Sequence, residues 1–147
     1  MSNLKQAIKQ NYVKCAQSPS YFINEFCTIQ HPQRGKIKFK LYPYQYDVLD
    51  EFEKHDYNVV LKSRQLGIST LSAAYALWMM LFHNDKNILC IATSKDTAKN
   101  LVTKVRIMYE GLPNWLKTAI VENNKLSLIF KNGSQIKAIA SNESAGR

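Results

Sequence analysis

The sequence lacks the features that mark membrane-spanning, secreted and metal-binding proteins. No apolar run reaches the roughly 18 residues that a membrane span needs, and the N-terminus has no signal-peptide apolar core. The 147 residues include only three cysteines, Cys15, Cys27 and Cys90, which form neither a CxxC pair nor a metal-ligand spacing. We therefore expect reduced thiols, a cytosolic protein and no membrane partner.

Acidic residues are scarce relative to basic ones. The chain has 20 lysines and arginines against 11 aspartates and glutamates, for a net charge of +9. Much of the excess lies in residues 34–40 and 95–106, where Lys95, Lys99, Lys104 and Arg106 suggest a basic helix face. Such a balance favours polyanionic partners such as nucleic acid or nucleotides, although a solvated basic surface explains it about equally well. No trio of carboxylates clusters as a two-metal nuclease site requires.

Hydrophobic periodicity predicts an α/β fold. Helices are expected over residues 3–16, 19–27, from Pro43 onward, 69–82 and 95–110. Residues 36–41 alternate polar and apolar like an edge strand or extended segment, after a turn-rich link at 31–36. The order of elements that follows is strand, helix, strand, helix, which predicts a right-handed parallel core.

Four further apolar runs are predicted to be strands. Residues 57–62 form a short run, and the continuous run 87–93 is typical of a buried parallel strand. Residues 126–130 and 135–140 flank Asn132 and Gly133, which is a strong hairpin pattern. We therefore expect the parallel core to carry a C-terminal β-hairpin.

The stretch VVLKSRQLGIST, residues 59–70, has the layout of a phosphate-binding loop. An apolar strand would deliver the chain to a turn, Gly67 would permit close backbone approach, and the N-terminus of the next helix would attract phosphate. Ser69 offers a hydroxyl for Mg²⁺. However, Ile68 occupies the position at which such loops usually have lysine.

Two cations at the start of this loop could replace the missing lysine. Lys62 and Arg64 precede the turn, and a loop that curls around phosphates brings its first residues close to its last. The alternative is an ordinary strand–turn–helix with a basic turn. Upstream, LYPYQYDVLDEF (41–52) resembles the adenine-recognising Q motif, in which the amide of Gln45 would both donate to and accept from the base. Taken alone, the position of Gln45 favours a helix-surface residue over an adenine contact.

Together these stretches resemble the N-terminal ATPase portion of tailed-phage terminase large subunits, the DNA-packaging motors. The resemblance is carried by residues 19–26, 39–52, 61–70, 88–105, 112–116 and 132–141. That family includes loops whose lysine lies on the N-terminal side, where this chain has Lys62. The resemblance implies ATP and Mg²⁺ as cofactors and a P-loop NTPase fold with a parallel sheet core, N-terminal helices and a C-terminal hairpin.

Carried over by position, the resemblance gives each loop residue a role. Lys62 would be the phosphate lysine, Ser69 the Mg²⁺ ligand and Gln45 the adenine contact. Arg64 would be the catalytic arginine that senses the γ-phosphate, and Arg147 matches an arginine just before the family's acidic strand. The remaining residues of the loop would bind nucleotide through their backbone: Ser63, Gln65, Leu66, Gly67, Ile68 and Thr70.

The resemblance also implies a domain plan and partners. Residues 1–35 would be an N-terminal helical segment and 36–147 an incomplete ATPase domain, without the acidic strand and nuclease domain, and hence inactive alone. Expected partners are double-stranded DNA, a portal protein, a terminase small subunit and further copies in a ring, in the host cytoplasm. A superfamily 2-like helicase or ATPase, and a non-catalytic basic DNA-binding module, are the alternative hypotheses.

Overall fold

The computed structural model describes residues 2–141, so Arg147 lies outside the described residues. These residues form five α-helices: α1 (Ser2–Gln17), α2 (Pro19–Phe26), α3 (Pro43–Lys54), α4 (Ile68–Phe82) and α5 (Lys95–Glu110). A 3-10 helix covers Asn114–Leu116. The strands are β1 (Thr28–His31), β2 (Gly35–Lys38), β3 (Asn87–Ala92), β4 (Ile120–Asn123), β5 (Ser127–Phe130) and β6 (Gln135–Ala140). The prediction of a mixed α/β protein is confirmed.

The strands form two separate sheets. β1 and β2 make a two-stranded antiparallel hairpin, and the other four strands lie in the order β3-β6-β5-β4. β3 runs parallel to β6, whereas β6, β5 and β4 pair antiparallel. The predicted C-terminal hairpin is therefore confirmed as β5–β6. Its turn is tied to the end of α4, because the Asn132 side-chain amide donates to the Met80 carbonyl at 2.7 Å.

Two of the predicted strands differ in the structure. Residues 57–62 are extended but form no strand within residues 2–141, and Val59 and Leu61 are each 99% exposed. The run 87–93 does form β3, but the prediction that it is buried is wrong. β3 is the edge of its sheet, and Leu89 and Ile91 are each 54% exposed. An apolar run becomes a buried strand only when neighbours cover both edges and both faces, which local sequence does not determine.

The hydrophobic core surrounds α4, most of whose side chains are buried. One continuous cluster joins α4 to the N-terminal helices, including Phe22 and Ile23. The Trp78 indole N–H donates to the Cys15 carbonyl at 2.8 Å, so α1 is fixed directly to α4. The division at residue 35 stays a prediction, although that residue lies inside the β1–β2 hairpin.

The three cysteines are free thiols, as predicted. Burial raises the pKa of Cys15 to about 12 and that of Cys90 to about 11, so both thiols are protonated at neutral pH. Among the helices of the described residues, none is both long enough and apolar enough to cross a bilayer.

Candidate functional site

The loop-to-helix junction at Gly67 is the centre of the candidate site. Gly67 is the N-cap of α4, with φ 71° and ψ 15°, and no side chain caps the helix there. The first helical hydrogen bond runs from the Leu71 N–H to the Gly67 carbonyl at 2.9 Å. The N–H groups of the preceding residues have no acceptor within the helix, and the helix dipole adds partial positive charge. An anion is the natural partner for such an end.

The chain before Gly67 makes a tight turn that the sequence pattern anticipates only in part. Gln65 has φ 62° and Gly67 has φ 71°, so two of the three residues from 65 to 67 have a positive φ. Alternation of this kind turns backbone N–H groups toward a shared concavity of the sort that binds anions. Ile68, which stands in the usual lysine position, is half-buried and packs against the core. The structure therefore gives Ile68 a packing role that a lysine at this position could not fill.

The first turn of α3 holds the loop through one backbone carbonyl. The Tyr44 hydroxyl donates to the Leu66 carbonyl at 2.6 Å, and the Gln45 side-chain amide donates to the same oxygen at a longer 3.5 Å. A Cβ on Gly67 would lie 3.0 Å from that Gln45 nitrogen. The absence of a side chain at Gly67 thus serves both the left-handed turn and the close approach of Gln45.

Gln45 lies beside the loop, as the Q-motif resemblance implies, but its amide is directed at the protein itself. It is 1% exposed, and its carbonyl oxygen accepts the Tyr42 N–H at 2.9 Å, which caps the start of α3. The alternative of a helix-surface residue is wrong, because the side chain is buried. Its contact with adenine stays a prediction, and the observed contacts describe a brace between α3 and the loop.

The two loop cations are both at the surface. Lys62 is exposed, and its ammonium donates to the neighbouring Ser63 carbonyl at 3.2 Å. Arg64 is exposed within the turn itself. Both side chains therefore start from exposed positions of the loop.

The hydroxyls of the first turn of α4 face α5. Exposed Ser69 lines a cavity of about 350 Å³ together with Thr97, Asn100 and Lys104. Thr70 lines a smaller cavity of about 140 Å³, to which Lys104 also contributes. Lys104 lines both cavities, and its partial burial there lowers the pKa of its ammonium.

Lys104 is the residue that sequence reasoning did not connect with this site. In sequence it belongs to a basic helix face, and it is separated from Ser69 by most of α4, all of β3 and about half of α5. Only the packing of α5 against α4 brings the two residues to one cavity. The spacing of Lys104 among the apolar residues of α5 was the one available signal, since it places the lysine next to the buried face.

The fold and this junction define an α/β protein in which an uncapped helix N-terminus follows a tight, braced loop. The family model described as terminase large subunit, T4-like-virus type, N-terminal, matches residues 59–147, which is more than half of the sequence. The chain therefore belongs to this family, as the sequence resemblance predicts.

A solved structure agrees with the fold. The crystal structure of the HK97 bacteriophage large terminase superimposes with a TM-score of 0.70 at 19% sequence identity. The match covers 90% of this chain but only 28% of the HK97 chain. At this identity the similarity shows the shared fold, and residue roles do not transfer from it.

Proposed function

We propose that residues 62–70 form an ATP and Mg²⁺ site and that this chain is the nucleotide-binding portion of a terminase large subunit that packages double-stranded DNA. The observation that carries the proposal is the uncapped N-terminus of α4 behind the left-handed turn at Gln65 and Gly67. Membership of the terminase large subunit family adds the packaging role. The P-loop fold of the parent protein belongs to the same proposal.

The residues present fit a bound nucleotide phosphate. Backbone N–H groups of the loop and of the first turn of α4 would contact phosphate oxygens, and Lys62 would supply the charge that other loops take from the position of Ile68. The Ser69 hydroxyl, exposed in the first turn, would ligate Mg²⁺. Arg64 would stabilise charge on the γ-phosphate from the other side of the turn. Bound ATP would supply the free energy that the motor uses.

Substitutions of Gln45 and Arg64 should affect nucleotide binding and turnover in different proportions. A brace such as Gln45 positions the loop, so its loss weakens binding of any nucleotide. Arg64, if it acts on the γ-phosphate in the transition state, affects turnover more than binding.

The portal protein, small subunit and ring of copies are expected partners of the complete motor, and the host cytoplasm is where such a motor would work.

The test is ATP hydrolysis and nucleotide binding by the complete protein with Lys62→Ala. We expect hydrolysis to fall by at least about a hundredfold, because a cation aimed at developing phosphate charge is removed from a preorganised site. Lys54→Ala is the matched control, since Lys54 is an exposed lysine at the end of α3. Near wild-type turnover in Lys62→Ala would overturn the lysine assignment.

A second measurement separates this proposal from its alternatives. Strand displacement by the complete protein would favour the helicase hypothesis. DNA binding without measurable ATP binding in the wild type would favour a non-catalytic basic module.

A further inference from the structure

We infer that the β1–β2 hairpin and the two residues after it, together residues 28–40, are a contact surface for the phosphate backbone of double-stranded DNA. This segment is called the basic ribbon below. Double-stranded DNA as the partner rests on the proposed function, whereas the surface itself rests on charge, register and exposure.

The ribbon lies in the most basic part of the chain. Residues 1–46 contain seven lysines and arginines and one acidic residue, Glu25. Four of the seven are in the ribbon, and all four are exposed: Arg34, Lys36, Lys38 and Lys40. Within residues 2–141 none of these four side chains contacts a carboxylate. The ribbon's charge is therefore available to an external anion.

The strand geometry places three of these cations in a single row. Side chains alternate along a strand, so Lys36, Lys38 and Lys40 point to the same side. The opposite side is the inner one, where Phe39 is buried and its N–H donates to the Cys27 carbonyl at 3.0 Å. That bond continues the pairing one residue past β2, as far as the residue before Lys40.

The row presents several cations at a regular spacing. Alternate residues of a strand are about 6.6–6.8 Å apart, and each DNA strand carries one phosphate per about 3.4 Å of helix axis. Lysine ammonium groups on long flexible stems at this spacing can each contact a different phosphate of such a dense polyanion. A two-stranded β-ribbon is also one of the elements that the DNA major groove admits.

The ribbon is held in shape before any partner binds. β1 and β2 pair in four consecutive positions, from Thr28 with Lys38 to His31 with Gly35. The His31 ring nitrogen Nδ1 accepts the N–H groups of Gln33 and Arg34, each at 3.2 Å, which fixes the turn that carries Arg34. Preorganisation lowers the entropic cost of binding.

The polar character of the ribbon favours nucleic acid over a membrane surface. The exposed residues of its turn are Pro32, Gln33 and Arg34, so the tip has no large apolar side chain to insert into lipid. Exposed Gln30 pairs directly across from Lys36 and adds a neutral hydrogen-bonding group to the same side.

The base of the ribbon lies next to the candidate nucleotide site. Thr28, Ile29 and Gln30 line the cavity of about 140 Å³ that Thr70 of α4 and Lys104 of α5 also line. The proposed DNA surface and the first turn of α4 are thus parts of one packed unit.

The test is the salt dependence of duplex binding by the complete protein. The variant K36Q/K38Q/K40Q is compared with K5Q/K9Q/K54Q, which removes three exposed lysines from α1 and α3 and so makes the same change in net charge. Affinity for a labelled random-sequence duplex is measured by fluorescence anisotropy over a range of salt concentrations. Thermal melting and ATP binding of each variant are measured in parallel.

We expect the ribbon variant to lose at least roughly tenfold in affinity at low salt, and the slope of log K against log salt to fall by about 0.9 for each lost phosphate contact. The control variant should keep the wild-type slope. Equal losses in both variants would show a bulk charge effect and overturn the inference, as would an unchanged ribbon variant. Wild-type binding to an acidic peptide as tight as to the duplex would overturn DNA as the partner.

Measuring ATP binding distinguishes a failure of the DNA surface from a failure of the proposed nucleotide site. A ribbon variant that loses DNA affinity but binds ATP like the wild type supports the inference. Wild-type protein that binds DNA through the ribbon and fails to bind ATP would overturn the nucleotide site and leave the ribbon standing.

Discussion

Helices α4 and α5 follow extended apolar segments and pack against each other, yet their N-termini differ. α5 begins after Ser94, whose hydroxyl accepts the Thr97 N–H at 3.2 Å, and Asp96 places negative charge in its first turn. α4 begins after Gly67, with neither a capping side chain nor an acidic residue in its first turn. The protein satisfies one helix end with its own side chains and leaves the other open.

This difference separates a structural helix start from a candidate binding one. The cap on α5 compensates N–H groups and the helix dipole internally. On α4 the same compensation would have to come from outside, and the brace of Tyr44 and Gln45 on Leu66 keeps the loop in position for it. Substitutions at the two helix starts should therefore affect stability and nucleotide binding in different proportions.

The largest expected effect comes from Gly67→Ala. An alanine at φ 71° costs about 1–2 kcal/mol in backbone strain, and its Cβ would press on the Gln45 amide at 3.0 Å. We expect a total loss of about 2–3 kcal/mol in the free energy of unfolding together with weaker ATP binding. Chemical denaturation and nucleotide titration measure the two quantities.

Gly35→Ala is the matched control for that change. Gly35 also has φ 71°, but a Cβ there would meet nothing within 4 Å. The Gly35→Ala variant should lose only the free energy of unfolding that comes from backbone strain, and its ATP binding should be unchanged. Equal stability losses in the two variants would mean that the contact with Gln45 contributes nothing.

The next largest effect is expected for Gln45→Leu. Removing the amide leaves the Tyr42 N–H without its acceptor and costs about 2 kcal/mol. A brace predicts equal weakening of ATP and GTP binding, because only the loop position changes. An adenine contact predicts a selective loss of ATP binding, and a change in the ATP-to-GTP affinity ratio would support that role.

The extended segments before the two helices show how far sequence predicts this fold. Residues 57–62 and 87–93 are both apolar runs, and local pattern makes both of them strands. Only the second finds a partner, β6, which is more than 40 residues away in sequence. Strand pairing depends on contacts distant in sequence, whereas helix bounds depend on local periodicity and caps. Four of the five helices are therefore predicted to within a few residues at both ends, and α3 is predicted at its start, Pro43.

The candidate site was predictable in position but not in its contacts. The pattern around Gly67 locates the helix start, and the Q-motif resemblance places Gln45 next to it. The burial of Gln45, the core packing of Ile68 and the approach of Lys104 to Ser69 all depend on how α3, α4 and α5 meet. β1 and β4 were missed because runs of four residues are too short to show a period.

A smaller effect is expected for Ser94→Ala, the counterpart of Gly67→Ala at the start of α5. Loss of the cap to the Thr97 N–H should lower the free energy of unfolding by about 1 kcal/mol. ATP affinity should stay at the wild-type value, as measured by titration. A clear fall in ATP affinity would show that the two helix starts are not functionally distinct.

The smallest effect is expected for Tyr44→Phe, which keeps the ring and removes only the hydroxyl that donates to the Leu66 carbonyl at 2.6 Å. Tyr44 is exposed, so water can replace part of this bond, and the free energy of unfolding should fall by about 0.5–1 kcal/mol. Amide hydrogen exchange across residues 62–67 is the sharper measurement, because the bond holds the loop rather than the core. Faster exchange there, with unchanged exchange in α5, is the expected result. Unchanged loop exchange would mean that Gln45 alone braces the loop, and the open end of α4 would then depend on a single buried amide.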